Sequence, residues 1–322
     1  MTLVVARLIN NEIFVVADTK FTIPQEKKPL SSRRNVITQA EQYFGGLKVI
    51  ILFPGLFVAF ANEISFAKDA IEKIYDKKIN LINKDQTIDY FFDRHCRSQY
   101  QTDFIIGFIC SSDNNPENFE KEIVKISEGH IERGKNVVYI GDKDAFTKFQ
   151  SYSLLKEFKH PSPNFTLRRL GKESNPDFQQ NLVNSIHAID QVIRDLEIPT
   201  VDGVCTTLTS ENDEFRYMES VEFFGKPIPI KKEPSSPVYF GGAAEGSDNR
   251  HIGAYLVPGI GIFSVFLDSG KFGVIYNPIE SFNPEIVHCN SMEEFAISIK
   301  KRTDKAIEKI KIYQESQLTQ FV

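Results

Sequence analysis

The feature that most constrains this sequence is a pair of apolar runs near its start, joined by a two-residue turn. Residues 3–8 and 12–18 are rich in β-branched and other apolar side chains, and Asn10-Asn11 lies between them. Because asparagine tolerates the left-handed backbone of tight hairpin turns, this pattern predicts a β-hairpin. Most chains begin with several loose residues, whereas here the first strand starts almost at once. We therefore expect the start of the chain to be held in a fixed place.

The same hairpin pattern recurs along the chain and alternates with helical periodicity. Residues 47–62 hold two apolar runs around Pro54-Gly55, a strong turn signal. Apolar residues that recur three and four positions apart predict helices elsewhere. The predicted helices are 64–78, 88–100, 144–158, 178–196 and 291–316, and the remaining predicted strands are 102–110, 122–127, 130–134 and 137–142, with more inside 203–224 and 238–277. Antiparallel strand groups that alternate with helix pairs favour an α+β fold with helices layered on antiparallel sheets.

Composition narrows the function classes. The chain has 322 residues, 41% of them hydrophobic and 25% charged, which is enough for a large core. A net charge of −5 argues against a broad nucleic-acid surface. There is no charged-then-apolar leader and no apolar run near the ~20 residues that a membrane helix needs, so we expect a cytoplasmic protein that does not bind membranes.

Cysteine usage indicates neither a metal site nor a disulfide framework. The four cysteines are widely spaced, without a CxxC pair or a nearby cluster of histidines. So few cysteines in so long a chain are also not typical of a disulfide scaffold. We therefore expect no metal site.

Several short motifs occur in order along the chain. Thr2 opens the first strand, and Ala17-Asp18-Thr19-Lys20 ends the second. KVIILFPGLFVAFAN and DFIIGF follow, then KISEGHIERGKNVVYIGD and Thr200-Val201-Asp202-Gly203. Together these motifs resemble the proteasome-type N-terminal-nucleophile hydrolases, which include proteasome β-subunits, the HslV peptidase and Anbu. In order, they are similar to the family's first strand, its "ADTR" phrase, its next hairpin and central strand, its passage into a Gly-Ser-Gly turn, and the turn after its last core helix.

The resemblance implies a four-layer α-β-β-α sandwich over residues 1–215. Residues 216–322 would add strands and a C-terminal helix, packed on the same domain. Members of this family usually assemble into rings, so the resemblance also implies a homo-oligomer that acts on a peptide or protein substrate without a cofactor.

The resemblance also assigns the central chemistry. Thr2 and Asp18 have the spacing of the family's nucleophile and aspartate. If Met1 is removed, Thr2 carries a free amine beside its own hydroxyl. An α-amine has an ordinary pKa of ~8 and can serve as the base that activates the Thr2 hydroxyl. Thr2 is thus the expected nucleophile, and Asp18 is expected to hold a cation and orient the terminus.

The family's lysine has no clear counterpart. Its linear position falls at Arg34, and arginine stays protonated, so it can stabilise charge but cannot take a proton. Because the segment 20–46 is longer than expected, linear counting fails there. Lys20 and Lys48 are substitutes by residue type, and for each of these cations the favoured interpretation is a solvated surface side chain.

This sequence also departs from the family's Gly-Ser-Gly turn, because Asp142 follows Gly141 where the family has a serine. Asp195 and Thr200 are the expected supporting carboxylate and hydroxyl. The backbone of Gly46 or Gly141 is expected to help bind an oxyanion.

These observations support a leading function and leave alternatives open. The leading one is a proteasome-like threonine hydrolase that cleaves peptide or other amide bonds. The alternative is a catalytically inactive protein of the same fold that acts as a binding or scaffold module, favoured by the missing lysine and serine. A third is the same fold with a different amide cleavage.

Overall fold

The computed structural model describes residues 2–20, 45–76, 83–112, 115–154, 175–195, 197–203, 205–211, 214–218, 221–224, 250–257, 262–267, 272–277 and 284–303. Within them lie fifteen strands and five helices, and every strand pairing is antiparallel. The α+β class is therefore confirmed. The described residues fall into two units, one within 2–218 and the other within 221–303.

The first unit contains two five-stranded sheets and four helices. Its strands are β1 (Leu3–Ile9), β2 (Glu12–Asp18), β3 (Val49–Phe53), β4 (Leu56–Asn62), β5 (Thr102–Ser112), β6 (Asn115–Ser127), β7 (His130–Arg133), β8 (Val137–Gly141), β9 (Cys205–Glu211) and β10 (Glu214–Tyr217). Its helices are α1 (Ile64–Tyr75), α2 (Lys84–Arg97), α3 (Lys143–Leu154) and α4 (Pro176–Arg194). The strand orders are β10-β9-β2-β1-β8 and β3-β4-β5-β6-β7.

The hairpin at the start of the chain forms as its sequence predicts. Asn10 and Asn11 adopt left-handed φ values of 49° and 61°. They join β1 to β2 in a register that places Val4 opposite Ala17. The hairpin lies inside its sheet, because β8 pairs with β1 and β9 pairs with β2. The first strand is thus bonded on both sides and completely buried over its first residues, which holds the start of the chain in place.

One face of this sheet carries α3 and α4. Leu3, Val5, Phe14 and Val16 point into a cluster with apolar residues of both helices. The Phe14 ring packs edge-on against Phe178 of α4, with ring centroids 5.5 Å apart. Alternate strand residues thus face the helices, as the pleat of a strand requires.

The second sheet carries α1 and α2. Phe91 of α2 packs on Phe104 of β5 with ring centroids 5.1 Å apart. The two sheets also touch each other: the Phe57 ring of β4 lies 4.8 Å from that of Phe215 in β10. The Tyr217 hydroxyl donates to the Val49 carbonyl at 2.7 Å.

The predicted bounds of α1 and α2 are wrong at their ends. α1 stops at Tyr75, and Asp76 closes it by donating its N–H to the Glu72 carbonyl at 2.8 Å. α2 begins at Lys84, because the Asn83 side chain accepts from the Gln86 N–H at 2.9 Å and caps the helix. It ends at Arg97, before residues 99 and 100, whose φ values of 55° and 65° no helix can continue.

The second unit is one five-stranded sheet with one helix. Its strands are β11 (Val221–Phe224), β12 (Arg250–Val257), β13 (Ile262–Leu267), β14 (Phe272–Tyr276) and β15 (Glu285–His288), paired in sequence order, and its helix is α5 (Met292–Thr303). Phe295 of α5 stacks on Phe266 with ring centroids 5.9 Å apart. Residues 304–316 of the predicted last helix lie outside the described residues. The predicted packing of 216–322 on the same domain stays a prediction.

Candidate functional site

Three chain segments converge on a buried polar cluster at one end of β1 and β2. Thr2 directly precedes β1, Asp18 ends β2, and Lys48 directly precedes β3. Their side chains are buried, with relative exposures of 4% for Thr2, 0% for Asp18 and 2% for Lys48. Buried charges are tolerated only when they are paired and hydrogen-bonded, so the contacts among these three residues define the site.

The Asp18 carboxylate is the hub of the cluster. Its Oδ1 accepts hydrogen bonds from the Thr2 hydroxyl and from the Leu3 N–H, the latter at 3.0 Å. Its Oδ2 accepts from Lys48 Nζ at 2.9 Å and from the Asp202 N–H at 3.3 Å. With four donors around it, the carboxylate is held in one orientation.

Lys48 touches both other members of the cluster. Its Nζ donates to the Thr2 Oγ1 as well as to Asp18. Burial lowers the pKa of Lys48 to about 8, although the Asp18 charge opposes this shift. At a pH near 8 the Lys48 side chain therefore exchanges between its protonated and neutral forms, directly beside the Thr2 hydroxyl.

The backbone of Thr2 is fixed from β8. The Asp142 N–H donates to the Thr2 carbonyl at 2.7 Å. Gly141 has a φ of 103°, and a Cβ built on it would lie 1.9 Å from that same carbonyl oxygen. Only glycine permits both this conformation and this approach, so the Gly141-Asp142 pair sets where Thr2 sits.

The Asp142 carboxylate ties two further segments together. Its Oδ1 accepts from the N–H groups of Asp144 and Ala145, at 2.8 and 3.0 Å, and so caps the start of α3. Its Oδ2 accepts from the Thr200 hydroxyl at 2.6 Å. Thr200 thus joins the site through Asp142, as a supporting residue one step from Thr2.

The prediction that the two candidate lysines are solvated surface cations is wrong. Lys48 is buried against Thr2 and Asp18, as described above. Lys20 is 7% exposed, and its Nζ lies 3.5 Å from Asp202 and donates to the Pro199 carbonyl at 3.2 Å. Both lysines are buried because each has a carboxylate partner that the linear sequence does not reveal.

Asp195, Arg34 and Gly46 were also expected at the site, and the described contacts of Asp195 and Gly46 are with other partners than Thr2. Asp195 caps the end of α4, and its Oδ2 accepts from the Tyr152 hydroxyl at 3.1 Å and lies 3.5 Å from Lys148. Arg34 lies outside the described residues. The Gly46 N–H donates to the Thr19 carbonyl at 2.9 Å, so it does not stand ready for an oxyanion as expected.

Asp202 is the site residue that sequence reasoning did not single out. Its N–H donates to Asp18, and its carboxylate pairs with Lys20. The available signal was its position before Gly203, a residue with a φ of 91°. An Asp-Gly turn after the last core helix is, however, usually interpreted as ordinary turn chemistry.

No family model matches this chain, and a search of curated proteins finds no match either. Among the described residues, no group of three or more His, Cys, Asp or Glu side chains is placed to hold a metal ion. None of the described helices is long and apolar enough to cross a membrane. The feature that bears on function is the geometry of the cluster: a threonine hydroxyl lies between a fixed carboxylate and an ammonium whose pKa is lowered to about 8.

Proposed function

We propose that this protein is an N-terminal threonine hydrolase that cleaves peptide or other amide bonds, with Thr2 as nucleophile. The observation that carries the proposal is the contact of the Thr2 hydroxyl with both Asp18 and Lys48 in a buried setting. A buried structural threonine needs a hydrogen-bond partner, but a neutral backbone carbonyl is enough, and it does not require two charged side chains. A nucleophilic hydroxyl needs a group that favours loss of its proton and a group that fixes its orientation.

Removal of Met1 would complete the machinery, because it turns the Thr2 amide nitrogen into an α-amine. The Thr2 Oγ1 would attack the substrate carbonyl carbon while its proton passes to this amine. The amine would then protonate the leaving nitrogen as the amide bond breaks, which leaves an ester on Oγ1. Water would hydrolyse that ester and restore the hydroxyl and the acid product.

Lys48 and Asp18 take different parts in this sequence. The Lys48 ammonium, donating to Oγ1, stabilises negative charge that develops on this oxygen. Asp18 keeps Lys48 and the hydroxyl in register and offsets the ammonium charge. In this proposal Lys48 takes the role of the family's lysine, whereas linear counting along the sequence points to Arg34.

We also propose that the first unit is the four-layer α-β-β-α sandwich of the proteasome-type family. The support is the packing of α3 and α4 on one sheet, of α1 and α2 on the other, and of Phe57 on Phe215 between the sheets. The resemblance extends the proposal to a homo-oligomer, which static light scattering tests. A strict monomer at micromolar concentration would contradict the ring arrangement.

An inactive binding or scaffold protein of the same fold is the competing proposal. The observation that favours it is Asp142, a carboxylate at the position where the family has a hydroxyl. A different amide cleavage on the same site is the third possibility, and a panel of peptide and small amide substrates separates it from peptidase activity.

Intact mass and acylation of Thr2 test the hydrolase directly. The protein, purified from a host with methionine aminopeptidase, should lack Met1. A β-lactone probe, which acylates nucleophilic hydroxyls, should then add its mass to Thr2 alone. Thr2→Ala should abolish both labelling and amide cleavage, and Thr147→Ala, which removes an exposed hydroxyl on α3, should change neither. Quantitative retention of Met1, or equal labelling of Thr2→Ala, would overturn the proposal.

A further inference from the structure

A second buried ion pair lies directly behind the first. Lys20 and Asp202 have side chains that are only 9% and 8% exposed, and their charged atoms are 3.5 Å apart. A pair this deeply buried carries a large desolvation cost and is weak evidence for stability. Neither residue contacts the Thr2 hydroxyl in the described structure. The neighbouring Lys48–Asp18 pair is therefore the place to look for what this second pair does.

Backbone bonds connect this pair to the site. The Lys20 N–H donates to the Asp202 carbonyl at 3.2 Å, and the Asp202 N–H donates to Asp18 Oδ2 at 3.3 Å. The Asp202 Oδ1 in turn accepts from the Gly203 N–H at 2.8 Å. The residue that orients Asp18 is therefore itself held by Lys20 through both backbone and side chain.

The two pairs also act on each other through their charges. The groups that act on the Lys48 ammonium are Asp18 from the end of β2, Lys20 two residues later, and Asp202 from the segment after α4. Asp142, directly after β8, contacts the Thr2 carbonyl through its N–H, and the α-amine of a processed Thr2 would add one more charge. Of these, Lys20 disfavours the protonated form of Lys48, and Asp202 favours it.

We propose that Lys20 and Asp202 are a positioning pair that aims the Asp202 N–H at Asp18 and balances the charge around Lys48. This inference rests on the proposed function for its catalytic consequence. Neither residue is a catalytic residue, because each acts through Asp18 or Lys48. The pair sets the pH range over which Lys48 is protonated beside the nucleophile.

The two members of the pair predict effects of opposite sign. Lys20→Met removes a positive charge, so the pKa of Lys48 should rise. Asp202→Asn removes a negative charge, keeps the backbone N–H and keeps an acceptor for Gly203, so the pKa of Lys48 should fall. Simple loosening of the structure would instead admit water in both variants and raise the pKa of Lys48 in both.

The test follows the Lys48 ε-carbon by NMR in protein labelled with ¹³C-lysine, with Lys48→Arg assigning the resonance. The pKa of Lys48 is expected to change by roughly 0.5 to 1, upward in Lys20→Met and downward in Asp202→Asn. Lys20→Arg should restore the wild-type titration. Lys148→Met, which removes an exposed cation near the end of α4, is the matched control and should leave it unchanged.

The outcomes separate this inference from the hydrolase proposal. Shifts of the same sign in both variants, or none in either, would overturn the positioning pair whether or not the protein cleaves amides. If the β-lactone labels Thr2, the alkaline limb of the labelling rate against pH, where Lys48 loses its proton, should move with the NMR titration in each variant. If Thr2 is inert but the titrations move in opposite directions, the hydrolase proposal fails and the pair stands as an electrostatic device.

Discussion

The sharpest energetic prediction concerns the buried Lys48–Asp18 pair. In Lys48→Met the aliphatic stem remains but the ammonium is lost, which leaves the fully buried Asp18 carboxylate without its cation. Removal of one partner of such a pair destabilises a protein by ~3–5 kcal/mol, because an uncompensated buried charge remains. We therefore expect the free energy of unfolding of Lys48→Met to fall by about that amount in urea denaturation.

A second substitution should recover part of this loss. Asp18→Asn in the Lys48→Met background removes the stranded charge and keeps a carbonyl that can accept from the Leu3 N–H. The double variant should then lie only ~1–2 kcal/mol below the wild type, the cost of the weakened hydrogen bonds. Lys68→Met, which breaks an exposed ion pair with Glu72 on α1, is the control and should stay within ~0.5 kcal/mol.

Two results would refute this reasoning. One is a loss below ~1 kcal/mol in Lys48→Met, because it would mean that Asp18 is not buried as an ion. The other is a double variant as unstable as Lys48→Met alone, which would trace the loss to packing of the lysine stem rather than to charge. Matched urea m-values across the series would show that the denatured states are comparable.

Three further predictions follow from individual sites. The pKa of Lys48 is lowered from 10.5 to about 8, so above pH 8 the unfolded state binds more protons than the folded state and stability rises with pH. Between pH 7.5 and 9.5 the wild type should gain ~2 kcal/mol of stability relative to Lys48→Met in urea titrations. Gly141→Ala places a Cβ against the Thr2 carbonyl and should reduce the β-lactone labelling rate at least ~10-fold, while circular dichroism shows that the protein is folded. An unchanged labelling rate would contradict the positioning of Thr2 by β8. Burial raises the pKa of Asp103 from 3.8 to about 6, so stability falls as the pH rises between these two values. Asp103→Asn, which can still accept from Asn62, should add ~1 kcal/mol at pH 7 and much less at pH 4 in the same assay.

The resemblance assigns Thr2 and Asp18 together, and the local geometry of the hairpin explains why their side chains meet. A two-residue turn at Asn10-Asn11 fixes the register of the hairpin, and the register places Val4 opposite Ala17. Asp18 is the next residue along β2, and its carboxylate reaches the Leu3 N–H and the Thr2 hydroxyl. Hairpin register follows from turn length, so this half of the site can be deduced without any tertiary information.

Lys48 could not be deduced in the same way. Its position relative to Asp18 depends on the connection from β2 to β3, and the length of a connection does not determine its path. In the sequence it lies between Leu47 and Val49, both buried in the structure. A lysine at such a position is either turned to solvent or buried with a partner, and only the tertiary position of Asp18 decides between them.

Asp142 bears on the choice between the two proposed functions, because it stands where the resembled family has a serine. Considered alone, a carboxylate at this position adds a negative charge next to Thr2, the proposed nucleophile. In the structure this carboxylate is already occupied by two N–H groups at the start of α3 and by the Thr200 hydroxyl. Helix N-termini favour negative charge, so the charge is offset where it lies. The backbone N–H of Asp142, rather than its side chain, is what holds Thr2, and this bond would be made equally well by a serine. The Asp142 carboxylate therefore anchors the start of α3, and the arrangement of Thr2, Asp18 and Lys48 does not depend on it.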